Sequence, residues 1–162
     1  MLIPRIEAAW MAGLIEGEGC IRIQVSTVRD WRTKKPLKDR ATMSVCVAMK
    51  DRAVVERFVR ATAPAGHYQV RGDGMAVWTI SSRPALEFLE QVSEFLIGDK
   101  KPQAEIAMEF QRGRTPGHRT PERHAYELDA AKRISELKHV GVYAYRTESA
   151  IQRLVKRDSA AP

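Results

Sequence analysis

The stretch from Trp10 to Cys20, W-M-A-G-L-I-E-G-E-G-C, constrains the fold of this chain more than any other. Within it, Gly13 and Gly17 lie four residues apart in a segment of helical character, so they would share one helix face. A glycine inside a helix costs about 0.5–1 kcal/mol relative to alanine, and close approach of another backbone is the usual compensation. Together with Ala12, the two glycines predict that a second helix packs on this strip.

Two carboxylates, Glu16 and Glu18, end the same segment. The apolar run before them is far shorter than the roughly 20 residues that span a bilayer, which argues against a membrane helix. If two copies of the helix pack together, their carboxylates converge, and Mg²⁺ shared with substrate phosphate oxygens is the ion such ligands favour. The simpler alternative is an acidic helix terminus with two incidental glycines.

The charge of the chain favours a polyanionic partner, because 27 Lys and Arg residues oppose 20 Asp and Glu residues, a formal net charge of +7. A length of 162 residues without an internal repeat indicates one domain, so a symmetric helix pair requires a homodimer. The two cysteines match no metal-ligand spacing, and no signal peptide or membrane span is visible. We therefore expect an intracellular protein, in the cytoplasm, the nucleoid or an organelle.

Hydrophobic periodicity predicts the element order αββαββα over a core of about residues 5–112, an α+β fold with an antiparallel sheet. A helix over 6–18 precedes two alternating strands, and Asp51 has the position of an N-cap for the next helix. A second hairpin turns at 72–74, and two more helices follow. An extension of about residues 120–158 is predicted to be helical, with segments at 122–139 and 147–156.

Alternation also assigns side chains to the sheet face that the helices leave open, where antiparallel strands fit the major groove of DNA. The residues predicted there are Arg22, Gln24, Ser26, Arg40, Thr42, Ser44, Gln69, Arg71, Val77 and Thr79. Residues 27–39 are expected to be a long basic loop that either contacts phosphates or is merely solvated. Its cations are Arg29, Arg32, Lys34, Lys35 and Lys38.

The segment 11–19, M-A-G-L-I-E-G-E-G, resembles the nine-residue motif of the LAGLIDADG homing endonucleases, with Glu in both acidic positions. The resemblance implies a saddle-shaped sheet and a single-motif homodimer that makes a staggered double-strand break in a long pseudo-palindromic DNA site. It also implies Mg²⁺ held by Glu18 and the backbone of Gly17, with Mn²⁺ or Ca²⁺ able to take its place for binding. The implied dimer interface contains Ala12, Gly13, Glu16 and Gly17.

Two further catalytic positions follow from the same resemblance. Lys100, in the pattern Lys-x-x-Gln-Ala, would lie near the cleaved phosphate. Met49 stands at the end of the second strand, where the family commonly places a polar residue to hold the attacking water. A thioether is a poor hydrogen-bonding group for that purpose. The alternative is therefore a catalytically degenerate DNA- or RNA-binding protein of the same fold, an intron maturase or a regulator, with its host intron RNA as a further candidate partner.

Overall fold

The computed structural model describes residues 2–114 and 120–138, and for residues 28 and 36–39 it describes the backbone alone. The elements are α1 (Arg5–Glu18), β1 (Gly19–Arg29), β2 (Pro36–Met49), α2 (Arg52–Thr62), β3 (His67–Val70), β4 (Ala76–Ser81), α3 (Ser82–Val92), a 3₁₀ turn (Ser93–Phe95), α4 (Lys100–Arg112) and α5 (Pro121–Leu137). The predicted α+β order is confirmed. The helix predicted at 147–156 lies outside the described residues.

The four strands form one open antiparallel sheet in the order β1-β2-β4-β3. The register aligns Cys20 with Cys46, Cys46 with Thr79, and Thr79 with His67, so one row of residues crosses all four strands. Because successive side chains of a strand point to opposite faces, every member of such a row lies on the same face. The helices cover the other face.

The covered face centres on Trp78, which is fully buried on β4. Its ring lies 4.9 Å from that of Phe58 on α2 and 5.1 Å from that of Phe88 on α3, between ring centroids. The indole Nε1–H donates to Thr62 Oγ1 at 2.9 Å, which satisfies its polar atom inside the core. Gly66 passes so close that a Cβ there would overlap this indole. Helices α2 and α3 are thus packed onto the sheet through one aromatic side chain.

The β1–β2 hairpin differs from its prediction, since the expected 13-residue loop is mostly strand. Strand β1 continues to Arg29 and β2 begins at Pro36, a position where proline loses no ladder hydrogen bond. The turn is only residues 30–35. Asp30 Oδ1 closes it by accepting the backbone N–H groups of Arg32 at 2.9 Å and Thr33 at 2.6 Å. This local turn chemistry lets the strands extend, and carries the basic residues outward on a rigid ribbon.

Helix α2 begins as predicted, because Asp51 Oδ1 accepts the backbone N–H groups of Ala53 at 3.0 Å and Val54 at 3.4 Å. The cap places the helix directly after β2 and turns it back over the sheet. None of the helices in the described ranges combines the length and the apolar character needed to cross a membrane.

Candidate metal site and nucleic-acid interface

Glu18 is the last residue of α1, and its side chain is exposed. The chain passes directly from helix to strand at Gly19, where a Cβ would lie 2.6 Å from the Ile15 Cα, so only glycine fits this junction. Within residues 2–114 and 120–138, no hydrogen-bond donor approaches the Glu18 carboxylate, and no cluster of three or more His, Cys, Asp or Glu side chains could hold a metal. Glu18 therefore offers two free oxygens at the surface.

Glu16 has a role within its own chain. Its Oε1 accepts the backbone N–H groups of Ile97 at 2.9 Å and Gly98 at 3.0 Å, in the connection between α3 and α4. A Cβ on Gly98 would lie 2.8 Å from Glu16 Oε2, so the glycine allows this approach. The carboxylate of Glu16 therefore pins a loop of its own chain, and its place in the dimer interface stays a prediction. The loop in turn holds Ile97, which is 90% exposed.

The glycine strip of α1 is exposed, and a Cβ added at Gly13 or Gly17 would meet no described atom within 4 Å outside its own helical turn. Ile6, seven residues before Gly13 on the same helix face, extends the strip as an apolar side chain that is 84% exposed, and Leu2, just before the helix, is 92% exposed. Ala12 does not belong to it. It is fully buried in the chain's own core, because a step of one residue turns the side chain by about 100° around a helix of 3.6 residues per turn.

Lys100 begins α4 and lines a cavity of about 230 Å³ together with Glu16, Asp99, Gln103, Leu137 and Lys138. Gln103 is 1% exposed, and its Oε1 has no hydrogen-bond partner among the described residues. The cavity is therefore lined mostly by polar and charged side chains. Lys100 is held at this position because α4 starts immediately after the loop that Glu16 pins.

Met49 ends β2 and pairs with Ala76 on β4. Its side chain is half-buried and packs against the hydrophobic core. The strand end lies where the motif implied, but the side chain is part of the helix-covered layer. Met49 consequently supplies no hydrogen bond to a nucleophilic water.

Most residues predicted on the open face are accessible to solvent there. Arg22, Gln24, Ser26, Arg40, Gln69 and Arg71 are exposed, and Thr42 and Thr79 are half-buried. Two predictions are corrected. Ser44 is 5% exposed because Arg22 lies over it, with Arg22 Nε donating to Ser44 Oγ at 3.0 Å, and Val77 is 9% exposed. Ser44 thus orients Arg22 instead of reaching a ligand.

The basic residues of the hairpin tip are exposed at Arg29, Arg32, Lys34 and Lys35, whereas the side chain of Lys38 lies outside the described ones. Trp31 is 72% exposed, and the Arg32 guanidinium lies 4.5 Å from its ring centroid. Arg29 Nη1 donates to the Lys34 carbonyl at 3.2 Å and braces the turn. The tip is therefore a cationic surface on a fixed backbone.

Sequence reasoning missed three features of the open face. His67 is exposed and pairs with Thr79, and one further step of the Gln69 alternation would have identified it. Cys20 and Cys46 face each other across β1 and β2. Lys138, at the end of α5, donates its Nζ to Cys20 Sγ at 3.3 Å, a contact over 118 residues that no local pattern signals.

The thiol pair is electrostatically asymmetric. The hydrogen bond from Cys46 lowers the pKa of Cys20, and the positive charges of Lys138 and Arg22 act in the same direction. The same hydrogen bond, together with burial, raises the pKa of Cys46. Of the two thiols, Cys20 is the one that accepts a hydrogen bond from Lys138.

Comparisons with known proteins agree with this architecture. No protein-family model and no curated protein matches the sequence. Among solved structures, the chain is similar to the homing endonuclease I-CvuI in complex with DNA, with a TM-score of 0.71, 19% identity and 98% of both chains covered. It is also similar to the archaeal intron-encoded homing endonuclease I-Vdi141I complexed with DNA, with a TM-score of 0.68, 19% identity, and 94% and 97% of the chains covered.

A third similar structure is the homing endonuclease I-TnaI, with a TM-score of 0.52, 17% identity, and 96% and 99% of the chains covered. These likenesses extend over nearly the whole chain and over nearly the whole of each of the three proteins. The chain therefore has the fold of the single-domain LAGLIDADG homing endonucleases, as the motif at 11–19 implied.

Proposed function

We propose that this protein is a site-specific, divalent-metal-dependent DNA endonuclease that acts as a homodimer. The observation that carries the proposal is the continuity of the open sheet face, which presents exposed Arg and Gln side chains along its strands and ends at the free carboxylate of Glu18. An antiparallel ribbon of this kind fits the major groove, and its basic tip is suited to phosphates. The similar structures I-CvuI and I-Vdi141I were solved with DNA.

Glu18 is suited to Mg²⁺, because an exposed carboxylate without a competing donor is the ligand this ion takes alongside water and phosphate oxygens. One carboxylate per chain is too few for a cleavage site. We infer that the carboxylates of two copies, the backbone carbonyl of Gly17 and DNA phosphates complete the coordination. When bound, the ion would stabilise negative charge on the phosphate and lower the pKa of a water. I-CvuI structures were obtained with Mg and with Ca.

Lys100 would supply a second positive charge at the phosphate, in addition to that of the metal ion. Its ammonium group lines the polar cavity beside Glu16, where the loop held by Glu16 determines its position. A cation fixed near a phosphodiester favours the more negatively charged transition state. In this proposal Glu16 is a positioning residue that acts through the loop, and Lys100 is the residue that meets the substrate.

A second copy of the chain is the partner that the α1 strip favours. An exposed face of α1 contains Ile6 at one end and the two glycines, Gly13 and Gly17, at the other. Contact through this face would bring the ends of two α1 helices close together, and each helix ends at Glu18. The symmetry of such a pair predicts a pseudo-palindromic DNA site.

Met49 favours a second candidate function, sequence-specific binding without cleavage. Its side chain lies in the core layer at a strand end where the motif implied a water-holding residue. A protein of this kind would bind DNA, or its host intron RNA, as a regulator or a maturase. Cleavage by the wild-type protein separates the two candidates.

The experiment is a selection of cleaved and bound sites from a randomised duplex library, followed by rate measurements on the selected site. Wild type is expected to cleave in Mg²⁺. Glu18→Gln should lower the cleavage rate by about 100-fold or more, with DNA affinity in Ca²⁺ retained, because it removes the ligand charge without changing shape. Glu16→Gln is the matched control, since an amide oxygen still accepts the N–H groups of Ile97 and Gly98, and it should keep cleaving.

If Glu18→Gln cleaves at the wild-type rate, the metal assignment is wrong. If wild type binds its selected site and never cleaves it, the non-cleaving candidate replaces the endonuclease.

The dimer is tested by Gly13→Leu and Gly17→Leu. A Cβ at either glycine would meet no atom within 4 Å among residues 2–114 and 120–138 apart from its own helical turn, so the substitutions should leave the fold intact and even favour the helix by roughly 0.5–1 kcal/mol, as glycine replacement does. Both should convert a dimer into a monomer in light scattering. A tight dimer in both variants, with unchanged circular dichroism, would show that the α1 strip is not the interface.

A further inference from the structure

We propose that Cys20 and Cys46 are a modification site: a dithiol on the open sheet face that a peroxide converts into an intrachain disulfide. The two residues are the only cysteines of the chain. The proposal rests on their register and their surroundings, and it does not depend on the endonuclease activity.

The register of the two strands places the cysteine backbones at a separation compatible with a disulfide. Cys20 and Cys46 are direct partners in the antiparallel pairing of β1 with β2, and the alternation of both strands directs their side chains to the same face. Directly opposed residues of such a pair have Cα atoms about 4.5–5.5 Å apart, inside the range of about 4.4–6.8 Å found for disulfides. Because Cys20 and Cys46 share one face at one register position, their side chains are neighbours on the sheet.

The surroundings favour reaction at this pair. Both thiols are half-buried on the face that the helices α1 to α3 leave open, so a small oxidant has access while larger reagents are hindered. Lys138 Nζ donates to Cys20 Sγ at 3.3 Å, and Arg22 adds a second positive charge. Cations beside a sulfur favour its attack on peroxide, so Cys20 is the attacking sulfur and Cys46 the resolving one.

The reaction balances with hydrogen peroxide as the two-electron oxidant. Cys20 sulfur attacks one peroxide oxygen, the S–O bond forms, the O–O bond breaks, and the leaving oxygen departs as water after taking a proton. Cys46 sulfur then attacks the sulfenic acid, the S–S bond forms, and the S–O bond breaks with release of a second water. Two thiols are oxidised to one disulfide while one peroxide is reduced to two waters.

The disulfide changes the open face beside Glu18. It covalently joins β1 to β2 two residues from that carboxylate. The bridge forms at the same Cys20 sulfur that accepts from Lys138 at the end of α5, a contact that spans 118 residues of sequence.

The experiment uses the full chain without DNA, so that its failure is distinct from failure of the proposed function. Reduced protein is treated with hydrogen peroxide, unfolded in guanidinium so that both thiols are accessible, blocked with N-ethylmaleimide, and measured by intact mass and by peptide mapping without reductant. The expected product is a monomeric chain lighter by two hydrogen atoms, with alkylatable thiols reduced from two to none and a peptide joining Cys20 to Cys46. Dithiothreitol should restore both thiols.

Cys46→Ser is the matched variant, because oxidation should then stop at the sulfenic acid of Cys20, which dimedone traps. Cys20→Ser should be oxidised much more slowly. Wild-type mass decides the proposal even if a variant folds poorly. Two free thiols after peroxide, sulfinic or sulfonic acids without a bridge, or a disulfide between two chains would each overturn it.

Discussion

The two faces of the four-stranded sheet are built from alternate residues of the same strands, yet they differ in almost every property. On β2, Met43 and Val45 are fully buried beneath the helices. On β1, Arg22 and Gln24 are exposed on the opposite face. Burial of apolar surface stabilises the fold, and the open face buries little apolar surface. The helix-covered face therefore provides most of the stability, while the open face is free to contact a ligand. Side chains on the open face can therefore change with little effect on the fold.

The separation is incomplete at two positions. Ser44 and Val77 belong to the open face by register but are nearly inaccessible, and Arg22 covers Ser44. Alternation determines the side of the sheet on which a residue lies. The neighbouring side chains determine whether that residue is accessible to a ligand.

The largest expected change in stability comes from a substitution that disrupts the packing of the helix-covered face. Trp78→Ala should lower the free energy of unfolding by about 3–5 kcal/mol, because it leaves a cavity between Phe58 and Phe88 and deprives Thr62 of its donor. Urea denaturation measures this change. Trp31→Ala is the matched control, since Trp31 is 72% exposed at the hairpin tip and its loss should alter stability by no more than about 0.5 kcal/mol. Equal losses in both variants would contradict the comparison of the two faces.

A smaller effect is expected from two substitutions on the open face. Gln24→Ala should cost about 1–3 kcal/mol of discrimination at one base pair of each half-site, because an amide can bind an adenine edge. Lys35→Ala should weaken binding to all sequences and reduce the slope of log K against log salt concentration by about one. Lys35 is exposed at the hairpin tip.

Neither of these two variants should change the unfolding midpoint. Site-selection profiles and salt titrations distinguish them, and identical profiles for both would show that the face does not read bases.

The smallest effect concerns the turn that joins the two long strands. Hydrogen bonds from the backbone and hydroxyl of Thr33, and then from the backbone of Arg32, hold the pKa of Asp30 below its ordinary value of 3.8. The carboxylate therefore stabilises the turn above that ordinary value, and the contribution is lost as pH falls through the lower folded-state pKa. NMR should show the Thr33 amide shifting only in strong acid. Asp30→Asn should lack this transition, and a Thr33 amide insensitive to Asp30 ionisation would refute the turn assignment.

The sequence by itself determined the element types, their order and the face to which each strand residue belongs. These properties depend on short-range physics: the period of two along β1 and β2, the cap at Asp51, and the glycines of α1. The motif at 11–19 likewise located Glu18 at a helix end. Each signal is contained within a few residues and can be read without knowledge of the partners.

Tertiary structure alone decided which residues meet. The carboxylate of Glu16 bonds to a loop 81 residues away, Lys138 reaches Cys20 over 118 residues, and the row from Cys20 to His67 exists only because the strands pair in the order β1-β2-β4-β3. A hydrophobic pattern specifies a face but not a neighbour, since many pairings would bury the same apolar residues. Closing a long loop costs conformational entropy, and this cost is offset only when the whole core packs. The contacts of Glu16, Ala12 and Ser44 therefore depend on the assembled core.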